Sequence, residues 1–226
     1  MNKPTLSTFA QIRDLKPWQG LAFSLAVLSR MVPHVQLYQE LQSEQMVTSA
    51  ELAEPVDLGQ LTHKVLGLLW ANLANPKATF NYAVQLEKIE SATPDMTADT
   101  PFGVFPAMDA CLGLSSVLRM LKNEQDDAPV MVSKLAQGGI EAMLLETELA
   151  EQQMTVENIA DEEERDGAYK ALSHSIKHHP LMEFEVAFQQ HVITLVTTHK
   201  RNAQLDTLLH ECIAETGITT LGIELE

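Results

Sequence analysis

The stretch Pro17–Met31 carries apolar side chains on nearly every side of a helix: Trp18, Leu21, Phe23, Leu25, Val27 and Leu28. Pro17 suits a first helical turn, where no backbone donor is needed, and Pro33 stops the run just past its end. A helix with no polar face must be enclosed by other elements. This segment therefore dictates a central helix with further helices packed around it. Its one charge, Arg30, falls in the last turn, where burial would demand a partner.

Helical spacing continues through most of the chain. A second segment runs from Pro33 through Leu41, and residues 43–56 read as a polar loop. Asp57 and Gln60 make a capping-box-like start for a helix bearing Leu61, Val65, Leu68, Leu69 and Leu73, which Asn75-Pro76 ends. Further helices are predicted over 77–92, from Pro106 to about Lys122, and from Pro129 to about Glu151. Thr155 or Asn158 would cap a very acidic helix. A final long pattern starts at Pro180 and closes at Gly217. Residues 192–198 have strand propensity, but their flanks are helical. The fold class is all-α: a single-domain multi-helix bundle over 1–226, with a short extended C-terminal tail from Ile218.

Charge limits the partners. Fifteen Lys and Arg face 31 Asp and Glu, a net of -16. Residues 1–100 hold 10 acids and 7 bases, whereas 101–226 hold 21 and 8. Such a field repels phosphate backbones and anionic lipid, so neither nucleic acid nor membrane is an expected partner. The longest apolar run, 20–29, is too short to span a bilayer, and the first residues carry no signal-peptide core. Cys111 and Cys212 stand alone in apolar surroundings, as reduced thiols of a cytoplasmic protein would. The final apolar stripe is one that a second copy could cover, making a homodimer.

Asp109 is the main chemical anomaly. It is the lone charge in the apolar run 102–114. Arg30 is the favoured counter-ion, since an Arg fork suits a partly buried carboxylate. Backbone amides at the helix start, or the indoles of Trp18 or Trp70, are alternatives. Glu87 and Glu90 fall within the broad apolar arc of the 77–92 helix and form a similar anomaly. Asp109, Arg30, Glu87, Glu90 and Trp18 are thus the candidate set, as a structural polar network or a ligand site. If the network is structural, Asp109→Ala should destabilise the fold.

Metal and cofactor signals are weak. Glu87-x-x-Glu90 is present, but no Glu-x-x-His accompanies it, as a di-iron bundle would require. His174 and His178 have ligand spacing, yet cationic histidines at a helix C-terminus complement its dipole and need no metal. There is no P-loop, dinucleotide fingerprint or nucleophile elbow. No metal or cofactor is expected.

Several blocks resemble a known family. They are Trp18-Gln19 with Arg30-Met31-x-Pro33, Gln85-Leu86-Glu87-Lys88-x-Glu90 with Pro94, the run from Phe102 to Cys111, and Leu221-Gly222-Ile223. Together they resemble the YjaG-like family of bacterial proteins, domain of unknown function 416. Relative to it, this chain carries extra residues at 43–57 and a longer acidic middle over 151–170. The resemblance implies packed helices and no assigned activity. The favoured reading is a non-enzymatic interaction or binding protein, its protein partner unidentified. The alternative is a small-molecule binder or enzyme using the carboxylate and Arg cluster inside the bundle.

Overall fold

The computed structural model describes residues 7–45, 57–96 and 102–225. Its helices are α1 (Thr8–Arg13), α2 (Pro17–Met31), α3 (Pro33–Gln45), α4 (Leu58–Ala74), α5 (Tyr82–Ala92), α6 (Val104–Leu121), α7 (Ala128–Glu146), α8 (Ala150–Glu157), α9 (Glu162–Lys177), α10 (Pro180–Thr198) and α11 (Ala203–Thr216). Among the described residues, the β-type pairing is a lone bridge between Ile218 and Glu224.

Helix α2 is the enclosed centre. Ala22, Phe23, Leu25, Ala26, Val27 and Leu28 are wholly inaccessible. Helices α4, α6, α7, α10 and α11 pack around it. Each large apolar side chain buried this way contributes about 1.5–3 kcal/mol before entropy is counted. Gln19 reaches from α2 to donate to the Val196 carbonyl of α10 at 2.8 Å. A second, smaller apolar cluster joins α7, α8, α9 and the start of α10 through Ile140, Leu144, Leu149, Val156, Leu172, Ile176 and Met182.

Small residues let α6 come close. A Cβ added at Gly113 would meet Leu28 Cδ2 at 2.7 Å and Val132 Cγ2 at 3.5 Å. By length and composition α6 could cross a membrane, but most of it is buried in the bundle. Its apolar surface is spent mainly on packing against α5, α7, α2 and α3.

Several boundaries differ from the sequence reading. The 77–92 helix begins only at Tyr82, because Asn81 caps it by accepting from the Val84 N–H at 3.1 Å. The 129–151 helix ends at Glu146, and Leu149 turns inward before α8 starts. Helix α9 is capped by Asp161, which accepts from the Glu164 N–H at 2.8 Å, rather than by Thr155 or Asn158. The final pattern is broken after Thr198. There Asn202 caps α11, and Arg201 donates to the Leu73 and Asn72 carbonyls at the end of α4, at 2.7 and 2.9 Å. Residues 43–45 extend α3; the rest of the loop reading, 46–56, lies outside the described residues.

The tail doubles back on itself through a tight turn. Gly217 takes φ 61° to close α11, as its position predicts, and Gly222 takes φ 76° in a tight turn. Thr219 N–H donates to the Ile223 carbonyl at 2.8 Å, and Leu225 N–H to the Gly217 carbonyl at 2.9 Å. Thr219 and Thr220 are buried against the bundle. The Thr220 N–H caps α2 by donating to the Arg30 carbonyl at 3.2 Å.

The close approach at Gly113 gives a direct test. Gly113→Leu should lower stability by about 2–3 kcal/mol through overpacking against Leu28, read from urea denaturation. An unchanged midpoint would contradict the packing of α6 on α2.

Candidate functional site

Arg30 emerges from the last turn of α2 into a site with no solvent. Its side chain and that of Glu185 are both 0% exposed, and Nη1 donates to Glu185 Oε2 at 2.5 Å. Nε and Nη2 donate to the Ile218 and Thr219 carbonyls of the C-terminal turn, each at 3.2 Å. The guanidinium lies 4.4 Å from the Phe188 ring centroid and 5.4 Å from that of Phe184, within cation–π range. Each of the three Arg30 nitrogens thus has a partner.

Glu185 passes the network on. Its Oε1 accepts from Gln189 Nε2 at 2.8 Å. Gln189 Oε1 in turn accepts from Ser133 Oγ at 2.6 Å and Gln137 Nε2 at 3.0 Å. Burial pushes the Glu185 carboxyl above its ordinary range, while the Arg30 charge and the two hydrogen bonds pull it back. The result is a polar ladder running from α7 through α10 to α2 and the tail.

Asp109 is not part of it. The expected partner, Arg30, is consumed by Glu185. The expected backbone amides are out of reach as well. Helix α6 starts at Val104, so Asp109 sits beyond the first turn and its free donors. Trp70 donates instead to Ser29 Oγ at 3.2 Å, and its ring meets His210 at 4.4 Å. Trp18 is a partly buried side chain packed on the core. Asp109 is half-buried, and its Oδ2 lies 3.6 Å from where a Cβ of Gly139 would be; Leu221 Cδ2 is 3.7 Å from the same point. Desolvation there raises its pKa from 3.8 to about 6. With no partner to strand, Asp109→Ala loses its expected basis as a destabilising change.

Glu87 and Glu90 are exposed. The apolar arc assigned to this helix is too broad, because Val84, counted within it, is itself 39% exposed. Only Leu86 and Ile89 are buried on α5. Glu90 forms a surface ion pair with Arg119 of α6, of a kind worth at most about 1 kcal/mol. The candidate set is therefore dispersed: Arg30 inside, Asp109 at a helix junction, the two glutamates and Trp18 elsewhere.

The histidine pair is a surface feature. The His174 and His178 rings stack at 4.3 Å, and His178 Nδ1 lies 3.1 Å from Glu183 Oε1. His179 caps α10 by accepting from the Leu181 N–H at 3.3 Å. Among the described residues no group of three His, Cys, Asp or Glu side chains is arranged to hold a metal.

Glu185, Gln189 and His34 escaped the sequence reading. Glu185 and Gln189 stand one turn apart on the same face of α10 as Val192 and Val196, so the signal was a polar pair on a buried face. His34 is 4% exposed with no hydrogen-bond partner for Nε2; burial, then the Arg30 charge, holds it down to about 4.

Two clefts lie away from these groups. One of about 840 Å³ is bounded by Arg13, Lys16, Asn123, Asp127 and Pro129, and one of about 500 Å³ by Gln36, Gln39, Asp57 and His63. Beside Asp109, Phe105 and Leu112, 39% and 47% exposed, lie on one strip of α6.

These features define a class: an all-α bundle closed around one central helix, its buried charge tied into an internal ladder. The chain belongs to the DUF416 family, a protein family of unknown function, whose model matches residues 7–224. An uncharacterized protein of Haemophilus influenzae is 29% identical over 216 residues, covering 95% of each chain. Uncharacterized protein YjaG of Escherichia coli is 26% identical over 215 residues, covering 94% of each. A crystal structure of a DUF416 family protein from Shewanella baltica matches with a TM-score of 0.77 at 26% identity, covering 98% of this chain and all of that one.

Two outcomes follow. Arg30→Met should destabilise the fold by about 3–5 kcal/mol, because Glu185 is left as an uncompensated buried charge. The Arg30→Met, Glu185→Leu double variant should recover part of that loss; additive melts would contradict the pairing. For Asp109 the raised pKa sets the sign. Its contribution to stability is full below pH 3.8 and is lost as pH rises through about 6. Partial exposure screens the charge, so Asp109→Asn should gain about 1 kcal/mol at pH 7.5 and nothing at pH 3.5. Urea titrations at the two pH values would detect this, and a loss at pH 7.5 would refute it.

Proposed function

We propose that this protein is a non-enzymatic binding protein that engages a protein partner through the exposed face of α6. The observation that carries this reading is the strip Phe105–Asp109–Leu112. Two large apolar side chains stand partly in water beside a carboxylate that finds no partner among the described residues. Exposed aromatic and aliphatic groups around a desolvated polar group are what a recognition surface needs. The groups that could have carried chemistry do not converge. Arg30 and Glu185 neutralise each other out of contact with solvent, while Glu87 and Glu90 face water.

The net charge of -16 supports a protein rather than a nucleic acid or an anionic bilayer as partner. It also weighs against self-association, since each copy carries the same excess. The buried free thiols Cys111 and Cys212 suit a reducing compartment, and we place the protein in the cytoplasm.

Site-specific photo-crosslinking in the native cell tests this. A crosslinker in place of Phe105 or Leu112 should yield a defined conjugate with another protein. One in place of Tyr169, equally exposed on α9, should not. Conjugation no stronger at 105 and 112 than at 169 would sink the reading.

A further inference from the structure

The α6 strip carries more information than that something docks there. Asp109 differs from the other buried carboxylate. Glu185 has its cation, whereas Asp109 has been taken part-way out of water, beside Gly139 and Leu221, without one. A partner presenting a neutral apolar face would complete that desolvation and strand the charge, which costs more than the apolar contact returns. A partner presenting an acid would add repulsion. A Lys or Arg placed between apolar side chains would do neither: its stem would lie on Phe105 and Leu112 while its head met the carboxylate.

The half of the chain that carries this face is acidic overall. Residues 101–226, which include α6 and α7, hold 21 acids against 8 bases. On α7, exposed Glu146 lies about two turns beyond Gly139 on the same side of the helix. Arg119, the cation on the α6 strip, is already paired with Glu90. A second copy of this chain would bring like charge onto like charge.

We infer that the face formed by Phe105, Asp109 and Leu112 receives a cationic, amphipathic segment of a different protein, anchored by a Lys or Arg on Asp109. This rests on the docking reading above and adds the chemistry of the occupant. Complementary charge here would speed association and select the partner, with the apolar contacts supplying the remaining affinity.

The test uses the full chain and three synthetic amphipathic helical peptides. They are identical except for a central Arg, Gln or Glu flanked by leucines one turn to either side. Fluorescence anisotropy at low and physiological salt should rank them Arg, Gln, Glu, with about a tenfold advantage for Arg over Gln. Asp109→Asn, which is expected to fold at least as stably, should bring that ratio to about one, and Leu112→Ser should weaken all three. Equal binding of the three peptides, or an Arg advantage that survives Asp109→Asn, overturns the cationic anchor. So does failure of all three to bind. A dimer in sedimentation that Leu112→Ser dissolves overturns it in favour of self-association. Crosslinking at 105 and 112 reports on the docking face independently, so loss of the anchor and loss of the face give different results.

Discussion

A guanidinium with no access to solvent has to be met by groups from the fold itself, and Arg30 is met by three separate pieces of chain. Glu185 comes from α10, the two carbonyls come from the turn after α11, and the aromatic faces come from Phe184 and Phe188. Gln189 then links the pair to Ser133 and Gln137 on α7. Two charges out of water carry a desolvation cost that their attraction only about offsets, so an apolar pair could hold these helices together as well. What an apolar pair lacks is direction. The fork of Arg30 accepts one rotation and one height of α10 against α2, and it draws the tail onto the end of α2, where the Thr220 N–H finds the Arg30 carbonyl.

That dependence explains which parts of the architecture were legible in the residues. The burial of α2 could be read because its pattern is local: nearly every side of fifteen residues is apolar. The left-handed end of α11 at Gly217 was likewise written in a single residue and its neighbours. The turn at 218–225 was not. Its order comes from Arg30, 188 and 189 residues away along the chain, and no periodicity within nine residues announces such a contact. Read by itself, that segment is only a short extended tail.

The site shows the same limit more sharply. Helical angle says that Arg30 and Asp109 point inward, but not at what. Two inward charges of opposite sign invite pairing, and the competitor was overlooked because Glu185 sits between Phe184 and Val186 in what looks like an unbroken apolar stripe. Counting polar residues on the buried face of α10 would have found it, with Gln189 one turn on. A shift of two residues in the start of α6 matters as much. From Val104, Asp109 is too far along to cap the helix; from Pro106, it would have been nearer the free amides.

Asp109 and His34 then place opposed demands on the fold. His34, held near 4, contributes stability above pH 6.5 that is lost as pH falls through about 4. Asp109, raised to about 6, contributes below pH 3.8 and loses its contribution as pH rises. At neutral pH the imidazole is therefore at ease and the carboxylate is not. His34 needs nothing further, since a neutral ring in an apolar place costs only its unmet hydrogen bond. Asp109 stays ionised in a half-dry junction with no partner among the described residues, whereas the fully buried Glu185 is met by Arg30. A fold selected for stability alone would do better with Asn or Ser at that position. Local rules broken without internal compensation tend to mark function, and under the docking reading proposed above a partner's cation would supply that compensation.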